Sequence, residues 1–254
     1  MVNPDRPQGD ARPVDVLRAL HHDRSPGGPL VLPGPWDAVS ARVFEEAGFP
    51  ALATPSAGVA ASLGYEDGQT PADEMFAAVT RIVRSVSVPV SADIEGGYGL
   101  APKELVARLL ETGAVGCNLE DSATDPAADG TGLKDARRQA DWLAEVRAAA
   151  GDRIVLNARI DTFIRGVDDP VGAAIERARL YVAAGADCVY PIGAPVEVLP
   201  RLRAGIEGPI NTWAPPAGPS LREWGEAGAT RITFGPGLQH RAAAALREIA
   251  QNLA

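Results

Sequence analysis

Three short segments concentrate acidic and basic groups at spacings that could do chemistry. They read Asp93-Ile94-Glu95-Gly96-Gly97-Tyr98-Gly99, Glu120-Asp121-Ser122 and Asn157-Ala158-Arg159-Ile160-Asp161. On a strand, side chains two apart point the same way, so Asp93 and Glu95 are expected to share a face. Packing Asp93, Glu95 and Glu120 together would raise their pKa values by mutual repulsion, a cost that a bound cation removes. Oxygen ligands without histidine suit Mg²⁺, or Mn²⁺, better than Zn²⁺. His21, His22 and His240, the only histidines, all fall in helical segments. The competing reading is that these acids cap loops and pair with arginines. Arg159 has the planar fork that suits a carboxylate or phosphonate, and its own alternative partner is Glu120 or Asp93. Pro55-Ser56-Ala57-Gly58 reads as a tight turn whose backbone N–H groups could hold an anion. Asn211, in Asn211-Thr212-Trp213, is a further polar candidate for the substrate.

Such residues need elements to position them. Eight short apolar runs read as strands buried on both faces: Leu30–Leu32, Ala51–Thr54, Val88–Asp93, Gly116–Glu120, Ile154–Arg159, Cys188–Ile192, Pro209–Thr212 and Arg231–Phe234. A leading helix is expected over Val14–His22. Further helices are expected over Ala38–Glu46, Pro71–Ser85, Pro102–Thr112, Lys134–Ala150, Asp169–Ala184, Val196–Ala204, Ser220–Ala227 and Leu238–Asn252. Asp37 can cap the second of these helices, and Gly48, Gly113, Gly185 and Gly228 each stand where a helix must stop. Eight βα units in one α/β chain of 254 residues predict a (β/α)8 TIM barrel, with 1–254 forming one domain behind the leading helix. In that fold, chemistry sits at the C-terminal ends of strands, where the three segments fall. The open alternative, a doubly wound sheet, lacks a G-x-G-x-x-G turn after its first strand. The segment Ser122–Gly132 reads as a mouth loop or lid.

The overall charge is −9, from 24 Lys+Arg against 33 Asp+Glu. That balance argues against nucleic acid and anionic membranes as partners. A small anionic substrate stays compatible, because a local site can oppose the net sign. No apolar run reaches the roughly 18 residues of a membrane span. Met1–Pro13 has no signal-peptide core, so the expected location is cytoplasmic. Cys117 and Cys188 sit inside strand-like runs and read as buried small hydrophobes.

The sequence resembles the isocitrate lyase/phosphoenolpyruvate mutase superfamily. The resemblance spans about residues 30–240 and rests on five blocks: PWDAVSARVFEEAGFPALATPSAGVAASLGYEDG (35–68), VPVSADIEGGYG (88–99), GAVGCNLEDS (113–122), NARIDTF (157–163) and AAIERARLYVAAGADCVYPIG (173–193). It implies a metal site of Asp93, Glu95 and Glu120, with Glu95 where the family has a second Asp. It implies that Asp67 lies near the metal, that Arg159 holds substrate, and that Pro55, Ser56 and Ala57 cradle substrate oxygens. It also implies a homo-oligomer, a tetramer or a dimer. The family's lyases carry a K-[KR]-C-G-H loop with a catalytic Cys, whereas residues 123–139 here contain neither Cys nor His. Ile192-Gly193 replaces a polar position often found after the sixth strand.

The implied function is Mg²⁺-dependent cleavage of a C–C or C–P bond in a small 2-oxo acid or related carboxylate, through a stabilised enolate, but not isocitrate lysis. Asp67 or Asp121 would move protons. Phosphonomutase-type rearrangement and a catalytically silent binding protein on the same barrel are the alternatives.

Overall fold

The computed structural model describes residues 11–22, 28–123, 132–215 and 217–253. Eight parallel strands carry the fold: β1 (Leu30–Val31), β2 (Leu52–Ala53), β3 (Val90–Asp93), β4 (Gly116–Glu120), β5 (Val155–Ile160), β6 (Cys188–Pro191), β7 (Asn211–Trp213) and β8 (Arg231–Thr233). Strands β2 to β6 pair in sequence order, and β7-β8-β1 form a second run. Two seams close the ring. Val189 N–H donates to Pro209 C=O at 3.1 Å beside β7, and Ala53 N–H donates to Pro33 C=O at 3.1 Å beyond β1. The result is the expected (β/α)8 barrel.

The helices are α1 (Pro13–His22), α2 (Ala38–Glu46), α3 (Ser56–Leu63), α4 (Ala72–Val83), α5 (Pro102–Glu111), α6 (Ala136–Ala150), α7 (Pro170–Ala183), α8 (Leu199–Gly205), α9 (Leu221–Ala227) and α10 (Gly237–Leu253). Every element expected from the periodicity is present within two residues, except that α8 starts three residues later than expected. Asp37 caps α2 in a reciprocal capping box with Ser40. Gly48, Gly113, Gly185 and Gly228 all have positive φ, from 82 to 120°. One helix was not expected: α3 begins at Ser56, where the small residues read as a turn. Val196–Val198 is a separate 3-10 turn ahead of α8.

Leucine, valine, isoleucine and alanine from the outward strand faces pack under the helices as the main core. A smaller apolar cluster closes the barrel's N-terminal end, with Val14 and Leu17 of α1 set against Leu30, Ala51 and Val155. Gly116 opens β4 beneath this plug. A Cβ there would stand 3.0 Å from a Leu17 methyl, so the strand start must be bare for α1 to seat. Cys117 and Cys188 are buried, and burial pushes both thiols up to about 12, which leaves them inert as nucleophiles. No helix among the described residues is long and apolar enough to cross a membrane. Most of the expected lid, residues 124–131, lies outside the described residues.

Candidate active site at the barrel mouth

Strand alternation decides what faces the barrel interior. In register, Asp93 of β3 lies beside Asn118 of β4, and Asn118 beside Asn157 of β5. One layer higher, Glu120 pairs with Arg159 of β5, and Arg159 with Tyr190 of β6. These layers and the loops above them enclose a cavity of about 140 Å³. Its polar lining includes Ser56, Asp67, Asp93, Asn118, Arg159 and Tyr190. Its apolar lining includes Pro55, Ala57, Ile192 and Pro236. Of the sequence candidates, Pro55, Ser56, Ala57, Asp67, Asp93 and Arg159 therefore meet at one cavity.

Arg159 is the hinge of the charge arrangement. Its Nη1 lies 2.8 Å from Glu120 Oε2, and its Nε donates to Asp161 Oδ1 at 2.8 Å. Nη2 donates to the other Asp161 oxygen at 3.1 Å. One cation is thus shared between two acids, with Glu120 and Arg159 little exposed and Asp161 fully buried. Burial pushes the Glu120 carboxyl up to about 8, an effect that Arg159 opposes and that Asp161, Asp93 and Glu95 reinforce. Burial, then the charges of Asp93 and Asp67, push Glu95 up to about 7. Asp93 is raised too, first by burial, with Asp67 adding to it and Arg159 opposing.

The expected three-acid cluster needs correction in its geometry. β3 ends at Asp93, so strand alternation does not carry Glu95 to the same face. Glu95 instead sits at φ 52°, in the left-handed region, and Tyr98 follows at φ 54°. For non-glycine residues this conformation costs on the order of 1 kcal/mol and persists only where surroundings enforce it. Two bonds enforce it here. Glu95 N–H donates to Asp93 Oδ1 at 3.2 Å, and Glu120 N–H donates to Glu95 C=O at 3.0 Å. Among the described residues, no three acidic, histidine or cysteine side chains form a ready-made metal cage.

The residues nevertheless fit a hard dication. Mg²⁺ keeps much of its water shell and takes only one or two carboxylates directly. Asp93 and Asp67 both reach the cavity. Glu95 Oε1 is buried without a hydrogen-bond partner, an acceptor oxygen that a cation or its water would satisfy. The donor set is all oxygen, and the acids in and around the cavity outnumber Arg159.

Two candidates lie elsewhere. Asp121 points out of the barrel, on the opposite face of β4 from Glu120. It is fully buried, 2.9 Å from Arg177 Nη1, and accepts from Tyr181 Oη at 2.8 Å and Asp161 N–H at 2.9 Å. It fastens α7 to the strands and cannot reach a substrate. Asn211 is fully buried and absent from the cavity wall. Its Nδ2 donates to Thr233 Oγ1 at 3.3 Å, so it supports a lining residue instead of touching ligand. The sequence reading missed Asn118, Tyr190 and Thr233. The signal was present: each stands two residues along its strand from another inward-facing position.

The raised glutamates give a pH prediction for the metal-free protein. A carboxyl with a raised folded-state pKa keeps its proton where the unfolded chain has lost it. Stability therefore falls as pH rises from the ordinary glutamate value of 4.5 through about 7 for Glu95 and about 8 for Glu120. Urea unfolding at pH 5 to 8 should show this decline. Glu95→Gln should flatten the part below about pH 7, and an unchanged slope in that variant would contradict the assignment.

The comparisons agree with this geometry. Residues 17–254 match the family model described as phosphoenolpyruvate phosphomutase. An uncharacterized Mycobacterium tuberculosis protein is 32% identical over 221 residues, covering 85% of this chain and 80% of its own length. The 2-methylisocitrate lyase of Aeropyrum pernix is 34% identical over 185 residues, 71% of this chain and 58% of the lyase. A Burkholderia cenocepacia J2315 protein solved as a candidate phosphonomutase superposes with a TM-score of 0.85 at 37% identity, covering 94% of this chain and 98% of that one. A match over this much of a barrel with this acid-lined mouth has one meaning: the chain belongs to the phosphoenolpyruvate phosphomutase family of the isocitrate lyase/PEP mutase superfamily, a group of lyases and mutases.

Proposed function

We propose that the chain is an Mg²⁺-dependent enzyme that breaks a C–C or C–P bond in a small 2-oxo acid or related carboxylate. The observation that carries this reading is the cavity itself. Asp67 and Asp93 line it together with Arg159 and the first residues of α3, a combination that supports a dication held beside an anion. Mn²⁺ would serve the same donor set.

Asp93 would hold the metal directly, with Asp67, Glu95 and Glu120 positioned to accept from its waters. When bound, Mg²⁺ would neutralise negative charge developing on the substrate's 2-oxo oxygen as the bond breaks. Arg159 supplies a fixed positive charge to the substrate carboxylate, held rigid by Glu120 and Asp161. α3 adds to this. The N–H groups of its first turn have no intrahelical acceptors, and Ser56 and Ala57 line the cavity. Asp67 is the one of the two proton-transfer candidates that reaches the cavity, so it is the group to hold or move a proton at its carboxylate. Ile192, Pro236 and Ala57 add uncharged lining to the cavity, which suits a compact substrate.

Oxaloacetate and phosphonopyruvate turnover, with Mg²⁺ and with EDTA, tests the reading. Activity lost in EDTA and restored by Mg²⁺ or Mn²⁺ is expected, and EDTA-resistant activity would reject it. ³¹P NMR of the products separates hydrolysis from phosphonomutase rearrangement. Oxalate binding without turnover of any 2-oxo acid would favour a silent binding protein.

A homo-oligomer, dimer or tetramer, belongs to the same proposal. Leu246, Ile249 and Leu253 lie along one side of α10 and are 65, 56 and 84% exposed, an apolar stripe that a second copy would cover. A cytoplasmic site of action fits the enzyme so described.

A further inference from the structure

Beneath the cavity floor lies a buried cation that the proposed chemistry does not use. Arg231, on β8, is fully buried. No ion pair joins it to an acid among the described residues, and its Nε has no partner. Its two remaining contacts are long: Nη1 stands 3.5 Å from His21 Nε2, and Nη2 donates to Asn118 Oδ1 at 3.4 Å. His21 Nδ1 faces the Leu17 carbonyl at 2.7 Å, so Nδ1 carries the proton and Nε2 is the acceptor turned to Arg231. A guanidinium can only donate. Burying one without a carboxylate is costly, so its neighbours must use what it offers.

What it offers is orientation. An amide can present either its oxygen or its NH₂ to a neighbour, and the network decides. Because Arg231 only donates, the Asn118 atom facing it is the oxygen. The same oxygen accepts from Asn157 Nδ2 at 2.8 Å. Both protein donors therefore lie on one end of Asn118. Its NH₂ has no hydrogen-bond partner among the described residues, and Asn118 lines the cavity.

We infer that Asn118 donates its amide N–H to an oxygen of the bound carboxylate, and that Arg231 is the positioning residue that holds the amide in that sense. The inference rests on the small-carboxylate reading of the site and adds a ligand-contacting residue from the floor of the barrel.

Oxalate, a planar carboxylate of the right size, is the probe, titrated by calorimetry in the presence of Mg²⁺. Removing one charge-assisted hydrogen bond corresponds to roughly a 10- to 100-fold loss of affinity. Asn118→Ala should show that loss. Asn118→Asp is nearly isosteric and gives Arg231 an acid partner, so it should unfold no earlier than wild type yet bind oxalate still more weakly. A purely structural role for Asn118 would not separate stability from affinity in this way. Arg231→Met should weaken oxalate about 10-fold, whereas Arg231→Lys, which still only donates, should retain most of the affinity. Wild-type affinity in Asn118→Ala would overturn the inference while leaving the proposed function standing. Failure of the wild-type protein to bind oxalate with Mg²⁺ would overturn both.

Discussion

Replacing Arg159 by glutamine is expected to abolish turnover and to destabilise the fold by about 3–5 kcal/mol, the range for removing one partner of a buried ion pair. The size follows from what is left behind. Glu120 and Asp161 both depend on this one guanidinium. Asp161 is fully buried and is also fastened to Ser122, so it cannot swing out to water. With the guanidinium gone, the two carboxyls lose their ion-pair partner, and Lys134, whose ammonium donates to the Glu120 carbonyl at 3.1 Å, is the cation left nearby. The lower end of the range applies at acidic pH, where the raised Glu120 carboxyl keeps its proton and no longer needs the cation. Turnover should disappear for a separate reason, the loss of the positive charge that lines the cavity and is proposed to face the substrate. Arg159→Lys tests the two effects apart. A lysine keeps the charge but cannot span Glu120 and Asp161 with a planar fork, so part of the stability should return with little of the activity. Urea unfolding at pH 5 and pH 8, alongside steady-state kinetics, measures both. Wild-type stability in Arg159→Gln would show that the acids find partners without it.

The fold was legible because it depends on periodicity. Short runs apolar on both faces, glycine stops and one capped helix after another are local signals, and the barrel follows from their number. The site was only partly legible. Arg159 and Asp93 stood out because charge at a strand end in an α/β barrel has few structural uses. Asp121 read like Glu120, its neighbour, yet one residue along a strand reverses the face. The competing pull of Arg177 and Tyr181, 56 and 60 residues later, carries no local mark. Glu95 was placed by strand alternation, which failed because β3 stops at Asp93 and the chain beyond it turns left-handed. The sequence D-I-E-G-G-Y-G held a warning, since paired glycines seldom extend a strand. Ser56 and Ala57 were assigned to a turn because small residues serve turns and crowded helices equally well. α3 forms there because Pro55 starts it and Gly64, at φ 88°, ends it. Arg231 escaped notice altogether. A strand-borne arginine ordinarily belongs on a surface, and only the closure of the ring around α1 and His21 buries it.

Asp93→Asn is expected to move activity and stability in opposite directions. Asp93 is 8% exposed, among other acids, with its carboxyl raised by burial. Its one backbone contact is an acceptor role, toward Glu95 N–H, which the asparagine Oδ1 can fill unchanged. The substitution thus keeps the shape and the bond that hold the left-handed turn, and removes a buried negative charge. In metal-free protein near neutral pH, the variant should melt above wild type. Mg²⁺, which should raise the wild-type melting temperature by binding the folded state, should do little for the variant. Activity should fall by more than about 100-fold, because even groups that merely support metal ligands cost 10- to 100-fold when changed. Differential scanning fluorimetry with and without Mg²⁺, beside oxaloacetate turnover, reads all three effects. The two scaffolding acids supply the contrast. Removing Asp121 or Asp161 should lower both stability and yield together, since each of them answers an arginine. Asp93 differs because no arginine or lysine forms an ion pair with it among the described residues. If Asp93→Asn melts lower than wild type and still responds to Mg²⁺, the acid serves the fold, and the dication has been assigned to the wrong carboxylate.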